Sequence, residues 1–237
     1  MSRFSQPLMI WGAGGHAKVV ADSARLAGWT IGGFVDDSHP LRHGRPFFGG
    51  LVVGGRETLH SGIAVALALA DCHARLHCAQ YALDRQLWLP VLAHPRACIA
   101  SSARIAEGSF LAAGATINPD VVLGVAVIVN TGATVDYDCE LDDGVHVAPG
   151  VHLAAGVSIG ERTLVGIGAV VKPGVRIGSD CTIGAGAVVI RNIPDGTTVY
   201  GSPARPRPAL ADIADSTRDA SEPPPGDSPT PPAAAAP

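Results

Sequence analysis

The sequence predicts a small Rossmann-like α/β unit followed by an all-β parallel helix built from hexapeptide repeats. Three observations predict it: a six-residue period across residues 99–190, a glycine-rich strand–turn–helix opening, and a composition with 29 Gly and only 5% aromatics. The expected boundaries are 1–92 for the α/β domain, 93–205 for the β-helix and 206–237 for a disordered Pro/Ala-rich tail.

The period is the strongest signal. Stepping by six from Ile99 through Ile105 and Leu111 to Val189 gives sixteen positions, every one Ile, Leu or Val. The residue four later is always small or β-branched, and Cys139 and Cys181 belong to that series as packing residues. The residue three later is Gly nine times in fifteen and Asp at Asp120, Asp138 and Asp180. Gly and Asp tolerate positive φ, so this position is a corner. A short strand thus carries one large aliphatic inward, the chain turns, and a small side chain fills the tight interior beside it. Three hexads close a triangular coil of about 18 residues, stacked ~4.8 Å on the next. Residues 99–190 then make roughly five coils with no inserted loop.

The front of the chain follows another pattern. Leu8 to Trp11 reads as a strand, Gly12, Gly14 and Gly15 as a turn, and residues 16–27 as a helix with Val19, Val20, Ala24 and Leu26 available to pack. Thr30 to Val35 is the next strand, ending at Asp36 and Asp37. Gly12 to Ala17 fits G-x-G-x-x-G/A, with an acid about 20 residues on, between a strand and a helix. That context places a phosphate at the helix N-terminus, where free amides and the dipole face an anion. The segment before the repeat is too short for a full dinucleotide-binding domain, so a mononucleotide or nucleotide sugar is the natural ligand. "IAVALALADCHARL" reads as a further strand and helix.

Composition excludes other classes. The net charge of −4 gives no basic face for nucleic acid or membrane. Five Cys without a CxxC suggest neither a disulfide framework nor zinc. His146 and His152 fall on different faces with no third ligand, so no metal is expected. No signal-peptide core or spanning run is present, and a reduced cytoplasm is the expected setting.

The segments "GAGGHAKVV", "FVDDS", "AHPRACIA", "VNTGATVDYDC", "GVHVAPGVHLAAGVSIG" and "VYGSPAR" resemble the bacterial nucleotide-sugar N-acetyltransferases and their sialic-acid O-acetyltransferase (NeuD-like) relatives, over residues 8 to about 206. The resemblance implies a left-handed β-helix, a homotrimer with active sites between subunits, acetyl-CoA as co-substrate without a permanently bound cofactor, and a nucleotide-linked amino sugar of the 4-amino-deoxy type, in surface-glycan or related biosynthesis. It places the nucleotide sugar on Gly12, Gly14, Gly15 and His16, with Asp36 and Asp37 near base or ribose. It places CoA along the helix near His146, Gly166, Ile167, Ala185 and Pro203.

Two departures stand out. The family's D/E-H-D/E-C stretch reads Asp136-Tyr137-Asp138-Cys139 here, with tyrosine in place of the usual base. The Gly-Asn-type motif before an Arg reads Ala70-Asp71-Cys72, ahead of Arg75. A free tyrosine titrates near ~10 and is a poor base but a fair hydrogen-bond donor at neutral pH. The catalytic candidates are therefore Tyr137, Asp138 as its orienting carboxylate, and His146, which the register puts at a corner, either as base or as a guide for the thioester. Asp138 is equally explained by its turn position alone. Three functions stay open: N-acetylation, sugar O-acetylation, and a catalytically impaired trimer that binds nucleotide sugar.

Overall fold

The chain is seen in a computed structural model that describes residues 6–206. The Pro/Ala-rich tail expected from 206 onward lies, beyond Pro206, outside the described residues.

Four apolar runs and two helices make the first layer pair. Strands β1 (Leu8–Trp11), β2 (Ile31–Val35), β4 (Gly50–Gly54) and β5 (Ala64–Leu67) run parallel. The short β3 (Pro46–Phe47) pairs antiparallel with β4, giving the order β3-β4-β2-β1-β5. β1 and β5 are buried at every residue, as expected for strands sandwiched between layers. Helix α1 (Gly15–Leu26) buries Ala17, Val20, Ala21, Ser23 and Ala24. Val19 and Leu26, offered by the sequence for packing, are exposed instead. Small residues at helical spacing let α1 approach the sheet closely, so its buried face is drawn by the alanines. Helix α2 (Cys72–Asp84) starts at Asp71, whose carboxylate accepts the Ala74 N–H at 2.7 Å.

Helix α2 ends in a Schellman arrangement. Leu87 N–H donates to the Ala82 carbonyl and Gln86 N–H to the Leu83 carbonyl. Gln86 therefore holds φ +56°, a left-handed conformation that costs a side-chain-bearing residue about 1–2 kcal/mol. Gln86 is exposed and packs little. Gln86→Gly is expected to stabilise the fold by about 0.5–1 kcal/mol, seen as a higher urea midpoint at unchanged slope.

Beyond β6 (Leu92–Ala93), strands β7 to β22 are sixteen two-residue strands, from Cys98–Ile99 to Val188–Val189. Each ends on the aliphatic residue of the six-residue series. Ladder partners differ by 18, as in Thr116 with Thr134 and Ile117 with Val135, so one coil is three hexads. The strands form three faces. Their outward residues name them: the His152 face (Thr116, Thr134, His152, Val170), the Glu140 face (Val122, Glu140, Ser158, Arg176), and a face carrying Phe110, Ile128, His146 and Leu164. The α/β domain covers this last face: Leu92, Phe110, Ala112 and Ile128 share a core cluster with Leu8, Ile10, Ala17 and Val20. Strands β23 (Thr198–Tyr200) and β24 (Arg205–Pro206) extend the same covered sheet.

The column is buried through most of its length, and each aliphatic contributes about 1.5–3 kcal/mol relative to exposure. Every corner from Gly108 to Gly186 has positive φ, including the non-glycine Asp120, Ala126, Asp138, Arg162 and Asp180. The small interior series handles its polar members locally. Thr163 Oγ1 donates to the Gly178 carbonyl and accepts the Cys181 N–H, and Ser109 Oγ does the same with Gly124 and Val127.

Candidate active site

The turn after β1, where the sequence analysis expects a phosphate, is tight on one side and open on the other. Gly12 has φ +127°, and a Cβ there would sit 2.7 Å from the Ala68 carbonyl oxygen. Gly14 caps α1 with no side-chain hydrogen bond, and a Cβ on Gly14 or Gly15 would meet nothing within 4 Å. The first helical turn, whose amides an α-helix leaves without intrahelical partners, begins beside this open space. A cavity of about 450 Å³ opens here, and Gly12, Gly14, Gly15, His16, Asp36 and Asp37 all line it. A larger groove of about 670 Å³ between Trp29, Trp88 and Ile105 holds Glu107 as its single charged residue and none of the proposed site residues.

The two aspartates also hold the loop after β2. Asp36 accepts the N–H groups of Ser38 and His39 at 2.9 and 3.1 Å, with Arg42 3.6 Å away. Asp37 accepts Trp11 Nε1–H at 3.0 Å and the backbone N–H and Nε–H of Arg56 at 2.7 and 3.0 Å.

His146 is placed differently from the expectation. It stands on a strand, not at a corner, as the outward residue of the covered face, and is only 7% exposed. The residue before the column position faces out on all three faces, and here the α/β domain closes over it. Its Nδ1 lies 3.0 Å from the Ala70 carbonyl and its Nε2 3.3 Å from the Asn130 side-chain amide. A carbonyl only accepts, so the proton sits on Nδ1 and the Nε2 lone pair takes the Asn130 N–H. The His16 ring is 6.3 Å away and also packs edge-on against Phe110. His16 Nε2 is buried with no hydrogen-bond partner among the described residues.

Both imidazoles are pushed down from 6.5 to about 4, chiefly by burial; His146 and the Arg75 cation add to this for His16, and Arg75 adds to it for His146 against the opposing hydrogen bond to Ala70. The unfolded chain binds these protons from pH 6.5 downward, whereas the folded chain binds them only near pH 4. Stability is therefore full above about pH 6.5 and falls as pH drops toward 4. Denaturant titrations at stepped pH should show that slope, and His146→Gln should reduce it.

Tyr137 and Asp138 lie elsewhere in the protomer. They occupy the corner between the His152 and Glu140 faces, opposite the covered face. Tyr137 is 52% exposed and Asp138 has φ +58°. One protomer therefore does not bring Tyr137 and Asp138 to His146.

The residues expected to meet CoA do share an edge. Ile167 and Ala185 are equivalent corner positions in successive coils, joined by Gly186 N–H to the Ile167 carbonyl. A Cβ on Gly166 would meet the Ile183 carbonyl at 2.6 Å, so glycine is what keeps this edge tight. Pro203 follows a cis Ser202–Pro203 bond in a loop tied to the same region by Ala204 N–H to Val188. The edge runs on from the strand that carries His146.

Two further buried polar residues, outside the candidate site residues of the sequence, contact the region around His146. Asn130 is a buried polar side chain at a corner position held by Ala or Gly in neighbouring coils (Ala112, Ala148, Gly166). Arg75 shares one face of α2 with Cys72, Cys78, Ala79 and Ala82 and is completely buried. A charge on an otherwise apolar helical face was the available signal for it.

Residues 7–82 match the family model described as PglD N-terminal domain, and residues 156–191 that described as bacterial transferase hexapeptide (six repeats). A histidine-to-asparagine variant of perosamine N-acetyltransferase from Caulobacter crescentus, in complex with CoA and GDP-perosamine, superposes with TM-score 0.81 at 40% identity, over 86% of this chain and 98% of that one. The acetyltransferase domain of PglB from Neisseria gonorrhoeae, in complex with acetyl coenzyme A, gives 0.80 at 40% identity, over 85% and 99%. WeeI from Acinetobacter baumannii gives 0.79 at 25% identity, over 86% and 100%. Among curated proteins no match was found.

Proposed function

This chain belongs to the hexapeptide-repeat nucleotide-sugar N-acetyltransferases with a left-handed β-helix, and from that membership we propose how its own residues serve the reaction. The enzyme moves an acetyl group from acetyl-CoA to the amino group of a nucleotide-linked amino sugar. The C–N bond forms, the thioester C–S bond breaks, the amine loses a proton and CoA leaves as its thiol.

The observation that carries this reading is the adjacency of two features. The helix N-terminus opens beside Gly14 and Gly15, and the His146 ring stands 6.3 Å, centre to centre, from that of His16, which lines the same cavity, and meets the carbonyl of Ala70, which also lines it. That N-terminus takes the diphosphate, while Asp36 and Asp37 shape the loop that meets the nucleoside. The amino sugar, of the 4-amino-deoxy type, extends toward His16 and His146. CoA lies along the edge of Gly166, Ile167, Ala185 and Pro203.

His146 serves as the guide for the donor more than as the base. At neutral pH it is a neutral imidazole, held low by burial, and its lone pair already takes the Asn130 amide. A neutral amine is a good nucleophile once positioned, and alignment alone lowers a barrier by several kcal/mol. Sugar O-acetylation fits less well, because an alcohol needs a stronger base than these side chains offer.

We place Tyr137 and Asp138 at the active site of a neighbouring protomer in a homotrimer. The exposed apolar Tyr137, Val170 and Ile190 suit such a contact. Surface-glycan or related sugar biosynthesis in the cytoplasm is the setting we infer, and among the described residues no helix is long and apolar enough to cross a membrane.

The test is free-thiol release from acetyl-CoA with UDP-, GDP- and dTDP-linked amino sugars and their hydroxyl analogues. Release with an amine but not with its hydroxyl counterpart supports this reading. Tyr137 favours one alternative, a trimer that binds nucleotide sugar without turnover. Measurable binding with no thiol release for any acceptor would establish that alternative instead.

A further inference from the structure

Arg75 is a fully buried cation whose hydrogen-bond partners include no carboxylate. Its guanidinium fork is satisfied by backbone carbonyls from three places. Nε donates to Ala126 at 2.8 Å. Nη1 donates to Leu69, Ala70 and Asp71 at 3.0, 3.0 and 3.3 Å. Nη2 donates to Gly144 at 2.6 Å and Val145 at 3.3 Å. Leu69, Ala70 and Asp71 line the cavity in the α/β domain. Ala126, Gly144 and Val145 belong to the β-helix, and Val145 immediately precedes His146. A single side chain thus bolts the two halves of the site together.

The Ala70 carbonyl is shared: it accepts both Arg75 Nη1–H and His146 Nδ1–H. We propose that Arg75 is a positioning residue, holding this carbonyl where His146 must donate to it, so that the Nε2 lone pair and not a proton faces Asn130. The catalytic consequence rests on the acetyltransferase reading above; the tautomer itself does not.

The fork geometry is what the role demands. A lysine supplies the charge but cannot span Ala126, Ala70 and Gly144 at once. The titratable groups around His146 are His16 from α1, Asp71 and Cys72 at the start of α2, and Arg75 itself. Arg75 is the cation among them, and it opposes protonation of both imidazoles.

The test uses the ligand-free full chain, nitrogen-15 labelled, with long-range proton–nitrogen spectra of the histidines. Wild type is expected to show His146 as the Nδ1–H form alone. Arg75→Lys is expected to show both tautomers, with kcat lowered about 10- to 100-fold and KM for each substrate changed less than about twofold. Arg75→Met, if it folds, should in addition move the His146 titration upward, because the neighbouring cation is gone. A folded Arg75→Lys protein that keeps the pure Nδ1–H form overturns the proposal, as does a full kcat in that variant. Absence of turnover in wild type with every amino sugar would instead defeat the acetyltransferase reading, and the tautomer comparison would still decide the role of Arg75.

Discussion

Tyr137→His is expected to raise turnover by about 100-fold, the lower end of the range that a positioned general base supplies. Tyr137 sits at a corner outside the core, half exposed in the protomer, so an imidazole enters without repacking the core. The backbone there is held independently of the side chain. Gly156 N–H donates to the Tyr137 carbonyl, and Tyr137 N–H donates to Asp136, which also accepts the Asn118 amide. The pH profile carries the more specific signature. A new base with a pKa near ~6.5 makes kcat/KM rise through that pH and level off above it. Steady-state rates of both proteins at stepped pH check this. Equal rates with the fold intact would mean that this corner takes no part in proton transfer.

Gly12→Val is expected to cost about 2–5 kcal/mol of stability, from strained backbone together with a steric clash. The φ of +127° is unfavourable for a β-branched residue, and the new Cβ would lie 2.7 Å from a backbone oxygen. Neither side can yield easily. Gly12 N–H donates to Val35 at 2.7 Å and Ala68 N–H to Trp11 at 2.8 Å, so the turn is tied to both neighbouring strands. At roughly 2–4 °C per kcal/mol for a chain of this size, the melting temperature falls by about 4–20 °C. Gly14→Ala makes the contrast. Its φ of −95° suits alanine, and its Cβ would meet nothing within 4 Å. That variant keeps near wild-type stability while intruding on the phosphate cradle, so its KM for the nucleotide sugar rises. Thermal melts and kinetics of the two variants separate a glycine needed for the turn from one needed for the ligand.

The β-helix was legible because its information is local. A strand is two residues, a corner is four, and each hexad states its own inward and outward positions. Sixteen aliphatics in step therefore specify sixteen strands, and the Gly and Asp positions specify left-handed corners. The Gly12–His16 turn was legible for the same reason, since strand, turn and helix are contiguous. The register also assigns His152 and His146 to equivalent outward positions, yet it says nothing about what covers them. His152 is exposed and meets Thr134, whereas His146 is buried beneath the α/β domain and bonded to Ala70, 76 residues away.

The sequence by itself determined the coil, its three faces and the glycine turn between β1 and α1, because each depends on steric preferences and burial within a few residues or one 18-residue lap. Only the tertiary structure decided which face is covered, which histidine is buried, where its proton sits, and that Arg75 is a buried bolt. Those outcomes depend on carbonyls and side chains that approach from α2 and from separate coils, 51 to 76 residues apart in the chain. Desolvation at such a junction changes protonation and orientation without leaving any repeat or spacing to read.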